Sequence, residues 1–133
     1  MNLEERRAYA SHRIRSAFET YDAAKLLAEN EYWNSAMNRL YYAVFYSVNA
    51  LLILNEIDTK SHSTTKSMFS LHFVKTGIID KNYGKLFSKL HDWRQKGDYD
   101  NLFELEPDHL KQLFKPAEDV IKLIAKMIEE ESD

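Results

Sequence analysis

Between Ser35 and Leu54 the chain reads SAMNRLYYAVFYSVNALLIL, a run without glycine or proline. At helical period its apolar residues fall on two adjacent stripes. Ala36, Leu40, Ala43, Ser47, Ala50 and Leu54 form one, and Met37, Tyr41, Val44, Val48, Leu51 and Leu52 form the other. A helix apolar on more than one side has to be enclosed by the rest of the chain, so this stretch is expected to be the central helix. Polar residues intrude at Asn38 and Arg39, one turn before Tyr42. A guanidinium there must find a partner or reach water, because an unpaired buried charge is too costly to keep. The placement predicts a cleft. Asn38, Arg39 and Asn49, together with the lack of flanking basic anchors, argue against a membrane span.

The remaining composition narrows the fold class. Three Gly and two Pro in 133 residues suit a helical bundle and leave little for the turns of a β-sandwich. One domain over residues 1–133 is long enough to bury a core without metal or disulfide staples. The absence of cysteine excludes a disulfide framework, a zinc-thiolate site and a catalytic thiol, and fits a reducing compartment. The opening MNLEERRAYASHRIRS lacks the apolar segment of a secretory signal, so a cytoplasmic location is expected. A net charge of −3 and a pI near 6.0 argue against nucleic-acid binding through overall basicity and leave a local patch open.

Local signals place the other helices. Asn2 as N-cap with Glu5 closing a capping box predicts a first helix from about Leu3 to Glu29. Ala10, Ile14, Ala17, Tyr21, Ala24 and Ala28 form its bundle seam, and Arg6, Arg7, His12, Arg13 and Arg15 its other face, either solvated or facing phosphate. The short turn Asn30–Asn34 predicts antiparallel packing onto the central helix, which should end near Asn55. A third helix is expected over Thr64–Thr76, with Met68, Phe69, Leu71, Phe73 and Val74 inward and Gly77 as its stop. A fourth begins after Asp80, carries Tyr83, Leu86, Phe87, Leu90 and Trp93 toward the core, and is expected to loosen or end at Gly97. Pro107 opens the last helix, whose stripe is Leu113, Ala117, Val120, Ile121, Ile124 and Ile128. Pro116 predicts a kink or broken start, and the acidic tail should fray.

Chemistry-bearing residues concentrate at the end of the fourth helix, in Arg94, Gln95, Asp98, Tyr99 and Asp100. Arg94 and Asp98 stand one turn apart and can pair, an interaction worth little by itself. Four further stretches precede it in a fixed order: NRLYYAVF (Asn38–Phe45) leading to Ala50–Leu52, then KSH (Lys60–His62) and FVKTGIID (Phe73–Asp80), before RQKGDYD (Arg94–Asp100) itself. This ordered set, spanning about Ala10 to Ile128, resembles the HEPN domain family. More narrowly it resembles the small uncharacterised branch associated with minimal nucleotidyltransferases.

The resemblance implies an all-α, antiparallel up-and-down bundle of four long helices plus one shorter helix, usually a homodimer. It further implies either an RNA-cleaving site or a binding role beside a minimal nucleotidyltransferase in a toxin–antitoxin module. In the family's ribonucleases an Arg is followed directly by a polar residue and, a turn or so later, by a His. Arg94 and Gln95 match the first two elements. Where the His would stand, this chain has Tyr99, Asp100 and Asn101. Cleavage through a 2′-OH needs a group that moves a proton near neutral pH, which His does and an unperturbed Tyr or carboxylate does not.

Two readings therefore stand. In the first, the chain is a binding module for a nucleotide, an RNA end or a partner nucleotidyltransferase, using Asn38, Arg39, Tyr42, His62, Arg94, Gln95, Asp98 and Tyr99. Arg94 grips phosphate and Tyr42 or Tyr99 stacks on a base. The resemblance also makes Tyr99 a counterpart of the family's adenylylated tyrosine. In the second, the chain is a metal-independent ribonuclease toxin in which Arg94 works with Asp98, Tyr99 or His91. Neither reading calls for a cofactor, and the histidines show no metal-ligand spacing. The first requires Arg39 and Arg94, far apart in the chain, to be held side by side. The central and fourth helices, rich in Tyr and Trp, are the expected dimer face.

Overall fold

Asn2 starts the first helix as its sequence requires. Its side chain accepts the Glu5 N–H at 2.8 Å while Glu5 Oε1 reaches back to the Asn2 N–H, completing the capping box. A computed structural model describes residues 1–99 and 105–132, the side chains of Tyr99 and Ser132 excepted. It places α1 at Leu3–Glu29, α2 at Trp33–Leu54, α3 at His62–Phe69, α4 at Lys81–Tyr99 and α5 at Pro107–Ser132. A π-helical segment, Ser70–Val74, follows α3 directly. Four long helices and one short one, with no strand among the described residues, make the expected all-α antiparallel bundle. No helix among them is long and apolar enough to cross a membrane.

α2 touches every other helix and is the core. Both of its predicted stripes are buried, Leu40, Tyr41, Ala43, Val44, Val48, Ala50, Leu51 and Leu52 completely. Its most extensive contact is with α1. Ala10, Ala17 and Ala24 on α1, and Ala36, Ala43 and Ala50 on α2, recur at heptad spacing and are all fully buried. Such small side chains let two helix backbones come close.

Several boundaries differ from the sequence expectations. α3 starts at His62, ahead of Thr64, because Ser61 caps it and its Oγ accepts the Thr64 N–H at 3.0 Å. It also stops short of Thr76. The chain widens into the π turn, closed by the Lys75 N–H on the Ser70 carbonyl at 2.8 Å. The wider turn keeps Phe69 and Phe73 inside but leaves Leu71, expected inward, 48% exposed. It also presses Val74 onto α4 at Gly84, where an added Cβ would meet Val74 Cγ1 at 3.1 Å. Gly77 then stops the segment at φ +81°, as expected.

Gly97 does not end α4, which continues to Tyr99. Its missing side chain serves contact with α2 instead: a Cβ there would lie 2.9 Å from Met37 Cε. Pro116 does not break α5 either. Nearby, Tyr21 on α1 donates its hydroxyl to the Phe114 carbonyl at 3.2 Å, an external donor beside the stretch where the proline removes an N–H. The acidic tail stays helical to Ser132, and Asn55 Nδ2 contacts Glu131 Oε2 at 3.4 Å.

The ends of α1 and α2 share one device. In each, Asn is the C-cap and its side-chain amide donates to the carbonyl four residues back, Asn30 to Leu26 at 2.9 Å and Asn55 to Leu51 at 2.8 Å. The next residue is a Glu in the left-handed region, Glu31 at φ 64° and Glu56 at φ 62°. The N–H groups of Tyr32 and Ile57 then close onto Leu27 and Leu52, each at 2.9 Å. This is the Schellman arrangement with Glu where Gly is usual. A left-handed L-residue costs roughly 1–2 kcal/mol, part of which glycine returns as lost chain entropy. Glu31→Gly is therefore expected to stabilise the fold by about 0.5–1 kcal/mol, read as a raised denaturation midpoint at unchanged slope. An unchanged or lowered midpoint would mean that Glu31 makes a compensating contribution.

Candidate functional site

Tyr42 is where the two distant arginines meet. It projects half-buried from the one polar strip of α2, with Arg39 Cζ 4.9 Å and Arg94 Cζ 5.3 Å from its ring centre. Arg94 also lies 5.5 Å from the centre of the Tyr41 ring. Both guanidinium groups are thus held against aromatic faces by cation–π attraction, and they share the Tyr42 ring.

Their other partners are weak. Arg39 donates from Nε and Nη2 to Asn38 Oδ1, at 3.2 and 2.8 Å, a neutral acceptor, and no carboxylate among the described residues compensates its charge. Arg94 Nε stands 3.6 Å from Asp98 Oδ2, which is ion-pair range but too long for a hydrogen bond, and this buried nitrogen has no other acceptor among the described residues. The i, i+4 pair exists because α4 runs past Gly97. Asn38, Arg39 and Asp98 line a cleft of about 490 Å³ with Leu27, Asn34 and Ser35, between the end of α1, the start of α2 and the end of α4. Gln95 is exposed and makes none of the described contacts with these residues. The side chain of Tyr99 and residues Asp100 and Asn101 lie outside the described residues.

Behind Arg94 is a cluster that periodicity could not reveal. Tyr41 Oη and His62 Nδ1 are 2.6 Å apart. Burial pushes the Tyr41 phenol far above its ordinary range, against the pull of Arg94. Burial also lowers His62, with Arg94 and His91 adding to the effect. A neutral phenol beside a neutral imidazole fits Tyr41 O–H donating to Nδ1, which leaves the proton of the His62 ring on Nε2. His62 stacks on Phe45 with ring centres 4.5 Å apart. His91, only 3% exposed, packs 5.9 Å from the Tyr41 ring centre, and neither of its nitrogens has a hydrogen-bond partner among the described residues. Burial lowers its pKa first and Lys66 second; Asp92, 3.7 Å from Nδ1, opposes them without forming a hydrogen bond, and Arg94 lowers it further.

The structure thus joins His62, as expected, to Arg94 and adds Tyr41, which the sequence reading had counted only among the apolar stripes. The arginines of α1 do not join. Arg6 pairs with Glu56 at 3.1 Å, and Arg13 lies over the rings of Tyr9 and Tyr46. Among the described residues no group of three or more His, Asp or Glu side chains is placed to hold a metal ion. Chemically, the cleft offers the Arg39 cation on its wall, and the Tyr42 ring links it to Arg94, a second cation in a loose ion pair, behind which His91 is buried. Those features fit an anion carrying a planar ring system.

Comparison with known proteins agrees with the ordered motifs. Residues 10–128 match the HEPN domain. A UPF0332 protein of Thermotoga maritima is 41% identical over 116 residues, which is 87% of this chain and 88% of that protein. Two proteins of Methanocaldococcus jannaschii carry the name "putative toxin". One is 41% identical over 86 residues, covering 65% of this chain and 64% of that protein. The other is 33% identical over 100 residues, covering 75% and 68%.

The buried imidazoles make stability depend on pH. A His held below its ordinary 6.5 in the fold binds a proton more readily once the chain unfolds. Its contribution is therefore complete above the unfolded value and is lost as pH falls from there toward the folded one. Lowering the pH from about 7.5 to about 5.5 is expected to lower the melting temperature, and His91→Leu to flatten that dependence. Circular-dichroism melts across the range check this. An identical slope in the variant would show that His91 is not its source.

Proposed function

The chain belongs to the HEPN domain family, and from that premise we propose that its cleft recognises a phosphate-bearing ligand, a nucleotide or an RNA end, as part of a toxin-type module. The observation that carries this reading is the convergence of Arg39 and Arg94 on the Tyr42 ring, with no carboxylate among the described residues on Arg39 and only a loose one on Arg94. A phosphate bound by the guanidinium groups replaces the long Asp98 contact with charge-assisted hydrogen bonds and draws them from the Tyr42 ring, which then has a face for a base. Asn38 orients Arg39, and Asp98 holds Arg94 until the ligand arrives. The relatives named as toxins support a toxin-like context.

The same reading includes a homodimer and a minimal nucleotidyltransferase partner, with Tyr99 as the residue that partner would modify. What supports the dimer is the pair of aromatics that α2 leaves half-buried beyond Tyr42: Phe45 and Tyr46. Sedimentation at micromolar concentration should give twice the monomer mass. Monomer alone would remove the dimer without touching the cleft.

One observation favours a second reading, a ribonuclease. His62 and His91 are both held neutral within reach of the Arg94 charge, so the fold brings imidazoles to a site whose local sequence lacks one. His62, bonded through Nδ1 to Tyr41, has Nε2 left to exchange a proton.

Titration with 5′-AMP and with a fluorescein-labelled single-stranded RNA separates these readings. Arg39→Ala and Arg94→Gln are each expected to weaken binding about tenfold to a hundredfold. Arg94→Gln keeps a polar stem over Tyr41, so its melting temperature should stay near that of the parent. Normal binding by both variants would sink the recognition reading. Cleavage of the RNA in excess chelator, abolished by His62→Gln, would replace it with the ribonuclease.

A further inference from the structure

The face of α4 turned toward α3 carries Lys81, Lys85 and Lys89 on successive turns, and Lys96 two turns farther on. With Lys66 of α3 they line a groove of about 610 Å³ whose only acidic residue is Asp92. In a chain of net charge −3 this is a marked segregation of charge. It is also unbalanced locally. Among the described residues none of these five lysines has a carboxylate within the 4.0 Å of an ion pair, whereas Lys111, Lys115 and Lys122 of α5 all do. Like charges one turn apart disfavour a helix, so a row of unpaired lysines on one face is held at a small energetic loss that a bound anion would relieve.

The groove is not purely electrostatic. Its floor includes Phe69, Phe87 and Val74, and Trp93 stands half-buried at one end with Lys89 Nζ 5.9 Å from its ring centre. From Lys81 to Lys96 the row spans about 22 Å of helix, long enough for several consecutive phosphates. It also runs up to the arginine site, since Trp93, which lines the groove, directly precedes Arg94 on α4.

We propose that the lysine groove between α3 and α4 is a track for the phosphodiester backbone of single-stranded RNA, one base of which stacks on Trp93. The track extends the binding described above and rests on that reading, with the arginine cleft holding one phosphate of a strand whose continuation lies along α4. An acidic protein segment would satisfy the charges, but it would leave the apolar floor and the Trp93 face without a flat partner.

The test compares two probes on the full chain: 5′-AMP, which fills only the cleft, and an oligouridylate of about twelve nucleotides. The combined variant Lys81→Ala, Lys85→Ala, Lys89→Ala changes three exposed side chains and should melt like the parent. It is expected to bind 5′-AMP as the parent does, to lose more than tenfold in affinity for the oligonucleotide, and to lower the slope of log affinity against log salt by about two. In a Trp33→Phe background the Trp93 emission should be quenched by the oligonucleotide and not by 5′-AMP. Unchanged oligonucleotide affinity and salt slope, with 5′-AMP still bound, would overturn the track and leave the cleft reading standing. A parent chain that binds neither probe would overturn the cleft reading and the track with it. Displacement of the oligonucleotide by polyglutamate of equal charge at equal or lower concentration would assign the groove to acidic protein and overturn the track.

Discussion

A helix packed against every other helix of its fold has almost no surface left on which to be polar, and this constraint governs the molecule. α2 spends its length on burial, with alanine on the side nearest α1 and large aliphatic and aromatic residues elsewhere. Its one polar strip, Asn38, Arg39 and Tyr42, therefore lies where the neighbouring helices leave an opening. The opening is bounded by the end of α1 and the end of α4. The cleft follows from how α2 is enclosed, and its chemistry from which residues fall on the strip.

Aromatic faces do the work that carboxylates usually do around buried cations. Arg39, Arg94 and Arg13 all lie over tyrosine rings. A ring face steadies a guanidinium without neutralising it and without occupying its in-plane donors. The charge stays available to a guest. Tyr41 carries this one layer deeper: its ring supports Arg94, packs against Phe87, and its hydroxyl fixes His62. One buried side chain thus ties the arginine of α4 to the loop that begins α3.

Much of this was legible in the sequence where the signal is local. Asn2 with Glu5, Gly77, Pro107 and the double stripe of α2 each act within a turn or two of chain, and each lies where its chemistry puts it. The misses share a cause: they depend on contacts between segments remote in the chain. Gly97 reads as a helix stop until Met37 is seen against it, and Gly84 has no evident purpose until Val74 arrives on its π turn. The two Schellman ends lie where the sequence puts them, near Glu29 and Asn55, and they are local: Asn30 and Asn55 supply a side-chain donor and Glu takes the left-handed position. In the site, Arg39, Tyr42 and Arg94 were named from polar intrusions and ordered motifs. Tyr41 was not, since an aromatic on an apolar stripe gives no sign that its hydroxyl has a partner. The α4 lysines escaped notice because a charge row on a helix looks the same whether or not carboxylates face it.

The contact of Met37 with Gly97 has a mechanical meaning for the opening beside it. Met37 directly precedes Asn38, and Gly97 directly precedes Asp98, so the two walls of the cleft are hinged to a thioether resting on bare backbone. A methyl group at position 97 would meet first the free end of that flexible side chain, so Met37 is the part that yields and the backbone on either side of the opening can keep its place.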